Sequence, residues 1–292
     1  MSSSTCQAQS HPRAPKHGTR TGATPGPTPS AVDPAWTRLL TACLLPVLLA
    51  SSASLPTWVR LILTIVMILA AAQGWPALVR AHHCRPDSMV IAVSGVSASI
   101  AVFVTHDFGA AATVMGISII AAFVAQMARG NKRSEVVEDI SAAVTGMLVM
   151  MSGAAWCAFE PGVANPALIV PICLALFVGP LLTILDMPAR LLESTTVTAS
   201  ALVSALAGLT LALSGFFGPD HTTFTPAMMT ALVCMIAGVV VGVLMASGNR
   251  VMWTHVWVPG GRAAIASALV PVLAAGGPTY AIARLLSVYL AG

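Results

Sequence analysis

The chain has 292 residues, of which 57% are hydrophobic and only 8% are charged, and its mean hydropathy is +0.86. A soluble domain carries about 25% charged residues, so this composition excludes a water-facing surface over most of the chain. It predicts an all-α, polytopic transmembrane helical bundle. A β-barrel is excluded because the apolar runs are continuous rather than alternating over about ten residues. The formal net charge of +4 matters less than where the charges lie.

Residues 1–36 are rich in Ser, Thr, Pro and Gly and contain almost no large apolar side chains. Such a segment cannot bury enough surface to offset its ordering entropy, so we expect a disordered cytoplasmic tail. Residues 37–292 are then the transmembrane helical domain. The six cysteines show no C-x-x-C spacing, and we expect small apolar packing residues rather than disulfides or metal ligands.

About nine apolar spans follow the tail, separated by short polar breaks. Most are long enough to cross a hydrocarbon core of about 30 Å at about 1.5 Å per residue. The first, which is the shortest, has an alternative interpretation as a cleaved signal-peptide region, since "SSAS" follows it. The long lead before it, broken by several prolines, favours a retained span. The runs are 39–55, 61–79, 88–105, 108–128, 140–159, 167–185, 195–217, 226–247 and 263–288.

The basic residues predict the orientation of these spans. With the tail in the cytoplasm, twelve of the fourteen Lys and Arg residues fall on the cytoplasmic side, and only Arg60 and Arg284 fall outside. This split agrees with the positive-inside rule, and the opposite orientation would reverse it. We therefore expect the N-terminus inside and the C-terminus outside.

Small residues predict which helices pack most closely. The runs 88–105, 140–159 and 195–217 are dense in Ser, Thr, Ala and Gly, and such residues allow close helix contact and hydrogen bonds between helices. We expect these three helices in the bundle interior. The "GVVVG" stretch, Gly238 to Gly242, is expected to be a helix–helix contact for the same reason.

Several prolines lie inside the predicted spans, where they free backbone carbonyls and permit kinks. Transporters often build binding sites at broken helices, although Pro and Gly are also common in membrane helices generally. The prolines are Pro46, Pro76, Pro171, Pro180 and Pro271.

Six basic residues near the predicted cytoplasmic ends are candidate contacts for anionic lipid headgroups. Three of them belong to the charged stretch "MARGNKRSEVVEDI", which also fits a plain hairpin with Ser134 as N-cap and Glu135, Glu138 and Asp139 at a helix start. We favour the hairpin interpretation. The six candidates are Arg129, Lys132, Arg133, Arg190, Arg250 and Arg262.

Motifs for chemistry are missing from the sequence. No Asp, Glu, Lys, Arg or His lies near the middle of a predicted span, which disfavours a proton-coupled pump. There is no phosphate-binding loop, H-E-x-x-H or paired-Asp motif, so no catalytic residue, cofactor or metal is predicted. An enzyme would need a set of polar side chains gathered around one cavity. The residues available are Asp186, Arg190, Glu193, His255 and Arg262.

Three stretches carry a family resemblance: "GWPALVR", "FVAQMARGNKRSEVVEDISAAVTG" and the Gly/Arg turn before the last helix. With these the chain resembles a loose group of uncharacterised multi-pass membrane proteins from high-GC Gram-positive bacteria. The resemblance implies a multi-pass fold and brings no activity.

The sequence thus predicts a bacterial plasma-membrane protein that is a permease-like module or a non-catalytic partner subunit of a cell-envelope system. The alternative is a membrane enzyme acting on a lipid-linked substrate at the cytoplasmic face. Expected partners are the bilayer, with anionic lipids on the cytoplasmic side, and a membrane-protein partner or a second copy of the chain. Nucleic acid is not an expected partner.

Overall fold

The computed structural model describes residues 34–79, 84–127, 136–160, 163–185, 187–254 and 261–290. Within these ranges the chain forms nine α-helices and no strand, which confirms the predicted all-α helical bundle. The first helix begins at Pro34, inside the predicted tail, and residues 1–33 of that prediction lie outside the described residues.

Each predicted run corresponds to one helix. Short 3-10 turns extend several of them, at Ser52–Ser54, Ala155–Ala158 and Pro166–Leu168. The helices are α1 Pro34–Ser51, α2 Thr57–Leu78, α3 Cys84–Thr105, α4 Gly109–Met127, α5 Val136–Ala154, α6 Ile169–Leu182, α7 Ala189–Leu213, α8 Phe224–Thr254 and α9 Gly261–Leu290.

Seven of these helices are long and apolar enough to cross a membrane, and two apolar segments are shorter, Gly109–Val124 and Pro166–Leu182. A hydrocarbon core is spanned by about 20 apolar residues. The protein is therefore a multi-pass integral membrane protein.

Two long-range hydrogen bonds agree with successive helices running in alternate directions. The Trp75 indole near the end of α2 donates to the Ala142 carbonyl near the start of α5, at 3.0 Å. Asn165, before α6, donates to the Phe217 carbonyl after α7, at 3.2 Å. We call the end where α1 begins the inner end and the opposite one the outer end. The inner end is the one that the charge pattern places in the cytoplasm, and this placement stays a prediction.

Burial corrects one prediction about the bundle interior. Helices α5 and α9 are 56% buried along their spans, whereas α3 is 33% and α7 only 28% buried, so placing α3 and α7 in the interior was wrong and α5 alone fits that prediction. The small residues of α7 bury a single face, on which Ser204 donates to the Cys234 carbonyl of α8 at 2.7 Å. Its other face exposes Leu202 and Leu206. The composition of α7 indicates many small residues, but it cannot show that they lie on one face of the helix.

The "GVVVG" stretch of α8 packs closely against α7, which confirms the predicted helix contact. A Cβ on Gly238 would lie 2.6 Å from the Ser200 carbonyl, and one on Gly242 would lie 2.7 Å from the Val197 Cα. Of the cysteines, Cys157, Cys173 and Cys234 are buried and free, in agreement with a packing role.

Candidate functional site at the outer end

Arg60 is the most unusual side chain in the described bundle. It lies in the first turn of α2, is 2% exposed, and its Nη2 donates to the Phe159 carbonyl at 2.7 Å. The sequence placed Arg60 on the outer side, ahead of the apolar run 61–79; it lies at that end of α2, but inside the helix and buried. Helix α2 starts at Thr57, four residues before the predicted apolar run 61–79, so Arg60 lies within the helix. The long aliphatic stem of an arginine can be buried among apolar neighbours.

Donor groups around Arg60 lack acceptors. Its Nε and Nη1 atoms have no hydrogen-bond partner, and neither does the fully buried hydroxyl of Thr64, one turn further along α2. Thr64 lies beside the Cys157 thiol without meeting hydrogen-bond geometry, and a thiol is a weak partner in any case. Buried polar groups are normally paired because leaving one unpaired costs about 1–3 kcal/mol. The unpaired donors mark this position as a candidate binding site.

Aromatic rings form one wall of the site. The Phe159 ring stacks on Trp156 with centroids 5.7 Å apart and meets the edge of Tyr280 at 5.7 Å. Tyr280 also contacts Phe108 at 5.5 Å, and its buried hydroxyl has no partner. These rings come from the segments after α3 and α5 and from α9, so the wall joins three parts of the chain.

A histidine–carboxylate hydrogen bond and an ion pair lie over the site at the outer end. His106 Nδ1 is 2.8 Å from Glu160 Oε1, and Arg284 Nη1 is 3.6 Å from Asp107 Oδ1. His106 has a φ of +55°, an uncommon conformation for a residue other than glycine. Glu160 is near enough to act on the charge of Arg60, but its close contact is with His106. We call these two pairs the outer rim.

Helix α9 is continuous through Pro278 but lacks one of its own backbone hydrogen bonds next to the site. Pro278 has no N–H to donate to the Ala274 carbonyl, one turn back. That carbonyl accepts instead from the Ser152 hydroxyl of α5, at 2.7 Å, and the same hydroxyl accepts from the Gly277 N–H at 2.9 Å. Trp156 adds a bond from its indole N–H to the Val272 carbonyl, at 3.1 Å. Side chains of α5 and the turn after it thus hold this part of α9.

Glycine makes the close α5–α9 approach possible. A Cβ on Gly276 would overlap the Ser152 carbonyl oxygen, and one on Gly277 would lie 2.9 Å from Ser152 Oγ. The backbone of α9 can therefore reach Ser152 only because these two positions have no side chain.

The interior groups favour binding over bond-making chemistry. They supply a guanidinium, hydroxyls and a neutral thiol, and no carboxylate of the described residues lies within ion-pair distance of Arg60. In the same ranges no group of three or more His, Cys, Asp or Glu side chains is placed to hold a metal ion.

The candidates for headgroup contact lie elsewhere. Arg190, Arg250 and Arg262 are exposed at the inner end, and Arg250 Nε lies 4.0 Å from Glu193 Oε1. That pair borders an open groove of about 300 Å³ between α7 and α8, which Arg190 and Arg262 do not line. The remaining candidates, Arg129, Lys132 and Arg133, lie outside the described residues, as do Ser134 and Glu135 of the predicted hairpin.

Among the described residues, the side chains that an enzyme would need do not gather around one cavity. Glu193 lies beside the α7–α8 groove, whereas Arg190 and Arg262 do not line it. Asp186 and His255 lie outside the described residues.

Sequence reasoning missed Arg60 because it treated each base only as a marker of orientation. A signal was available, since Arg60 is one of only two bases on the predicted outer side and "LILTIVMILAAA" follows it directly.

Comparison with protein-family models, curated proteins and solved structures gave no match. The site is therefore interpreted from the residues of this chain alone.

Proposed function

We propose that this integral membrane protein is a permease-like module that binds a small solute among α2, α5 and α9 and releases it on the other side. Two observations carry the proposal: the buried donors of Arg60 and Thr64 have no partner, and α9 lacks a backbone hydrogen bond at Pro278, where Ser152 bonds to it instead. Irregular helices at membrane depth are tolerated where they are buried in protein or line a cavity, and transporters place their binding sites at such positions.

The two ends of the proposed pathway are closed differently. Towards the inner end, α2 and α9 are packed so closely that a Cβ on Gly74 would overlap the Arg262 carbonyl. Towards the outer end, the site is covered only by the two polar contacts of the outer rim, of which the Arg284–Asp107 pair is exposed. Exposed ion pairs contribute only about 0–1 kcal/mol each, so the outer side should open at lower cost. The described conformation is then an occluded one that opens first outward.

The two alternatives predict different properties. A non-catalytic partner subunit needs no interior donors, and its polar groups would be paired internally. A membrane enzyme needs an acid or a base beside its substrate, and among the described residues the carboxylate near Arg60 is that of Glu160, which is engaged with His106. The unpaired interior donors therefore favour a permease-like module over both.

The proposed location is the bacterial plasma membrane with the inner end in the cytoplasm. Its support is the twelve-to-two division of Lys and Arg between the two sides. Arg190, Arg250 and Arg262 would then lie close to anionic headgroups of the cytoplasmic leaflet.

Native cysteines allow a test that needs no known substrate. A chain keeping only Cys157, which lies beside Thr64, is treated with a membrane-impermeant thiol reagent in right-side-out and in inside-out vesicles. Alternating access predicts slow labelling from both sides. A chain keeping only Cys173, buried in α6, is the matched control and should not be labelled. If Cys157 of the folded protein reacts from only one side or from neither side, that result would contradict the proposal.

A further inference from the structure

We infer that the solute bound at Arg60 is a small oxyanion, either a carboxylate or a phosphate. The inference rests on the proposed function, whose substrate class it names. Three features of the site carry it: the charge of Arg60, the number of donors left over, and the lack of a compensating acid.

The first feature is charge. A guanidinium remains protonated in proteins, and a buried charge without a counter-charge is expensive. Arg60 is 2% exposed, yet among the described residues no carboxylate lies within 4.0 Å of it. Its one acceptor is the Phe159 carbonyl, which is neutral. An anion at this position would supply the missing negative charge.

The second feature is the donor set. One N–H on Nε and two on Nη1 are unused, and Thr64 adds a hydroxyl from the next turn of the same helix. A ligand that satisfies them must present several acceptor lone pairs, as carboxylate and phosphate oxygens do. A cationic ligand would be repelled, and a hydrocarbon would leave every donor unpaired.

The third feature is the position of Glu160. It is the acid that would otherwise neutralise Arg60, but His106 binds its carboxylate at 2.8 Å. Glu160, whose side chain is 20% exposed, thus makes its close contact with His106 rather than with the guanidinium of Arg60. The same pairing would prevent Glu160 from competing with an incoming anion.

The test measures binding to the full-length protein in phosphatidylcholine nanodiscs. Sodium succinate and inorganic phosphate are titrated against sodium chloride of equal ionic strength. The melting temperature reports occupancy, and so does the change in intrinsic fluorescence that is lost when Trp156, which stacks on Phe159, is replaced by Phe. We expect saturable stabilisation by at least one of the two oxyanions and none by chloride. Nanodiscs containing phosphatidylglycerol form a further arm, and an effect seen only there would assign the oxyanion to a lipid headgroup.

The variants separate a ligand contact from a structural support. Arg60→Lys keeps the charge but loses donors, so affinity should fall about ten-fold or more, as for loss of one charged hydrogen bond. Arg60→Gln should abolish saturable binding, and Thr64→Val should weaken it several-fold. Thr210→Val is the matched control, because that hydroxyl bonds only within its own helix on the exposed face of α7.

The outcomes are distinguishable from failure of the proposed function. Flux of labelled succinate and phosphate into proteoliposomes is measured in parallel with binding. Saturable binding without flux would uphold the oxyanion site and reject the permease. Flux that persists in Arg60→Gln would reject the oxyanion site and uphold the permease. If Arg60→Gln does not fold, Thr64→Val and the wild-type titration decide, and a folded wild-type protein that binds neither oxyanion overturns the inference.

Discussion

The Ser152 hydroxyl replaces the backbone hydrogen bond that Pro278 cannot make. It donates to the Ala274 carbonyl at 2.7 Å and accepts from the Gly277 N–H at 2.9 Å. One side chain of α5 therefore satisfies both a carbonyl and an N–H of α9. This link joins the two most buried of the seven long helices, and its Gly277 end lies three residues from Tyr280, in the wall of the candidate site.

Replacing Ser152 with Ala should destabilise the bundle by about 1–3 kcal/mol, because a buried carbonyl loses its partner. Ser214→Ala is the control, since that exposed hydroxyl bonds only the Leu211 carbonyl of its own helix. The double variant with Pro278→Ala should lose less, because alanine at 278 supplies the missing N–H. The wild-type protein, Ser152→Ala, Pro278→Ala and the double variant form a double-mutant cycle, measured by melting temperature. Strict additivity of the two changes would show that Ser152 does not compensate for Pro278.

Replacing Gly276 with Ala should also destabilise the protein, because the added Cβ would overlap the Ser152 carbonyl oxygen. Overpacking of this kind costs about 1–3 kcal/mol. Gly116 of α4 has no heavy atom within 4 Å of an added Cβ, so Gly116→Ala should be neutral or stabilising by up to about 1 kcal/mol. Thermal unfolding in one detergent measures both, and equal effects would argue against a close α5–α9 contact.

The nine-span orientation predicts which positions face the outside. In a cysteine-free chain, a cysteine at Asp220, between α7 and α8, should react with a membrane-impermeant reagent added to intact cells. A cysteine at Lys132, between α4 and α5, should react only after the membrane is opened. Reaction of the Lys132 position in intact cells, or protection of the Asp220 position, would contradict the orientation.

The charged stretch between α4 and α5 can be tested through its three bases. If it is a structural hairpin, replacing Arg129, Lys132 and Arg133 with Gln should leave the activity of correctly inserted protein unchanged, since exposed charges contribute about 0–1 kcal/mol each. Reversing Glu135 and Glu138 to Lys should be worse by about 0.3–1 kcal/mol per site, because a helix N-terminus disfavours positive charge. Melting temperature and a deletion-complementation assay are measured together. A triple variant that inserts and melts normally but fails to complement would make this stretch a binding site.

The number of helices and their approximate positions were predictable from the sequence, whereas their limits differ from the predicted runs by up to seven residues. Hydropathy depends on each residue's own side chain, so the run 226–247 already identified α8, Phe224–Thr254, without knowledge of any neighbour. The close approach at Gly238 was predictable as well, because a small residue permits such a contact wherever its partner lies.

Other features depended on the partners that each helix meets. Helix α7 has the composition of an interior helix but lies at the periphery, because Ser200 and Ser204 share one buried face while Leu202 and Leu206 share an exposed one. Arg60 is charged, which is typical of a loop residue, but it is buried. Its hydrogen-bond acceptor is the Phe159 carbonyl, which is distant in the chain. The burial of a helix face and the pairing of a donor are properties of two segments together, so only the tertiary structure decided them.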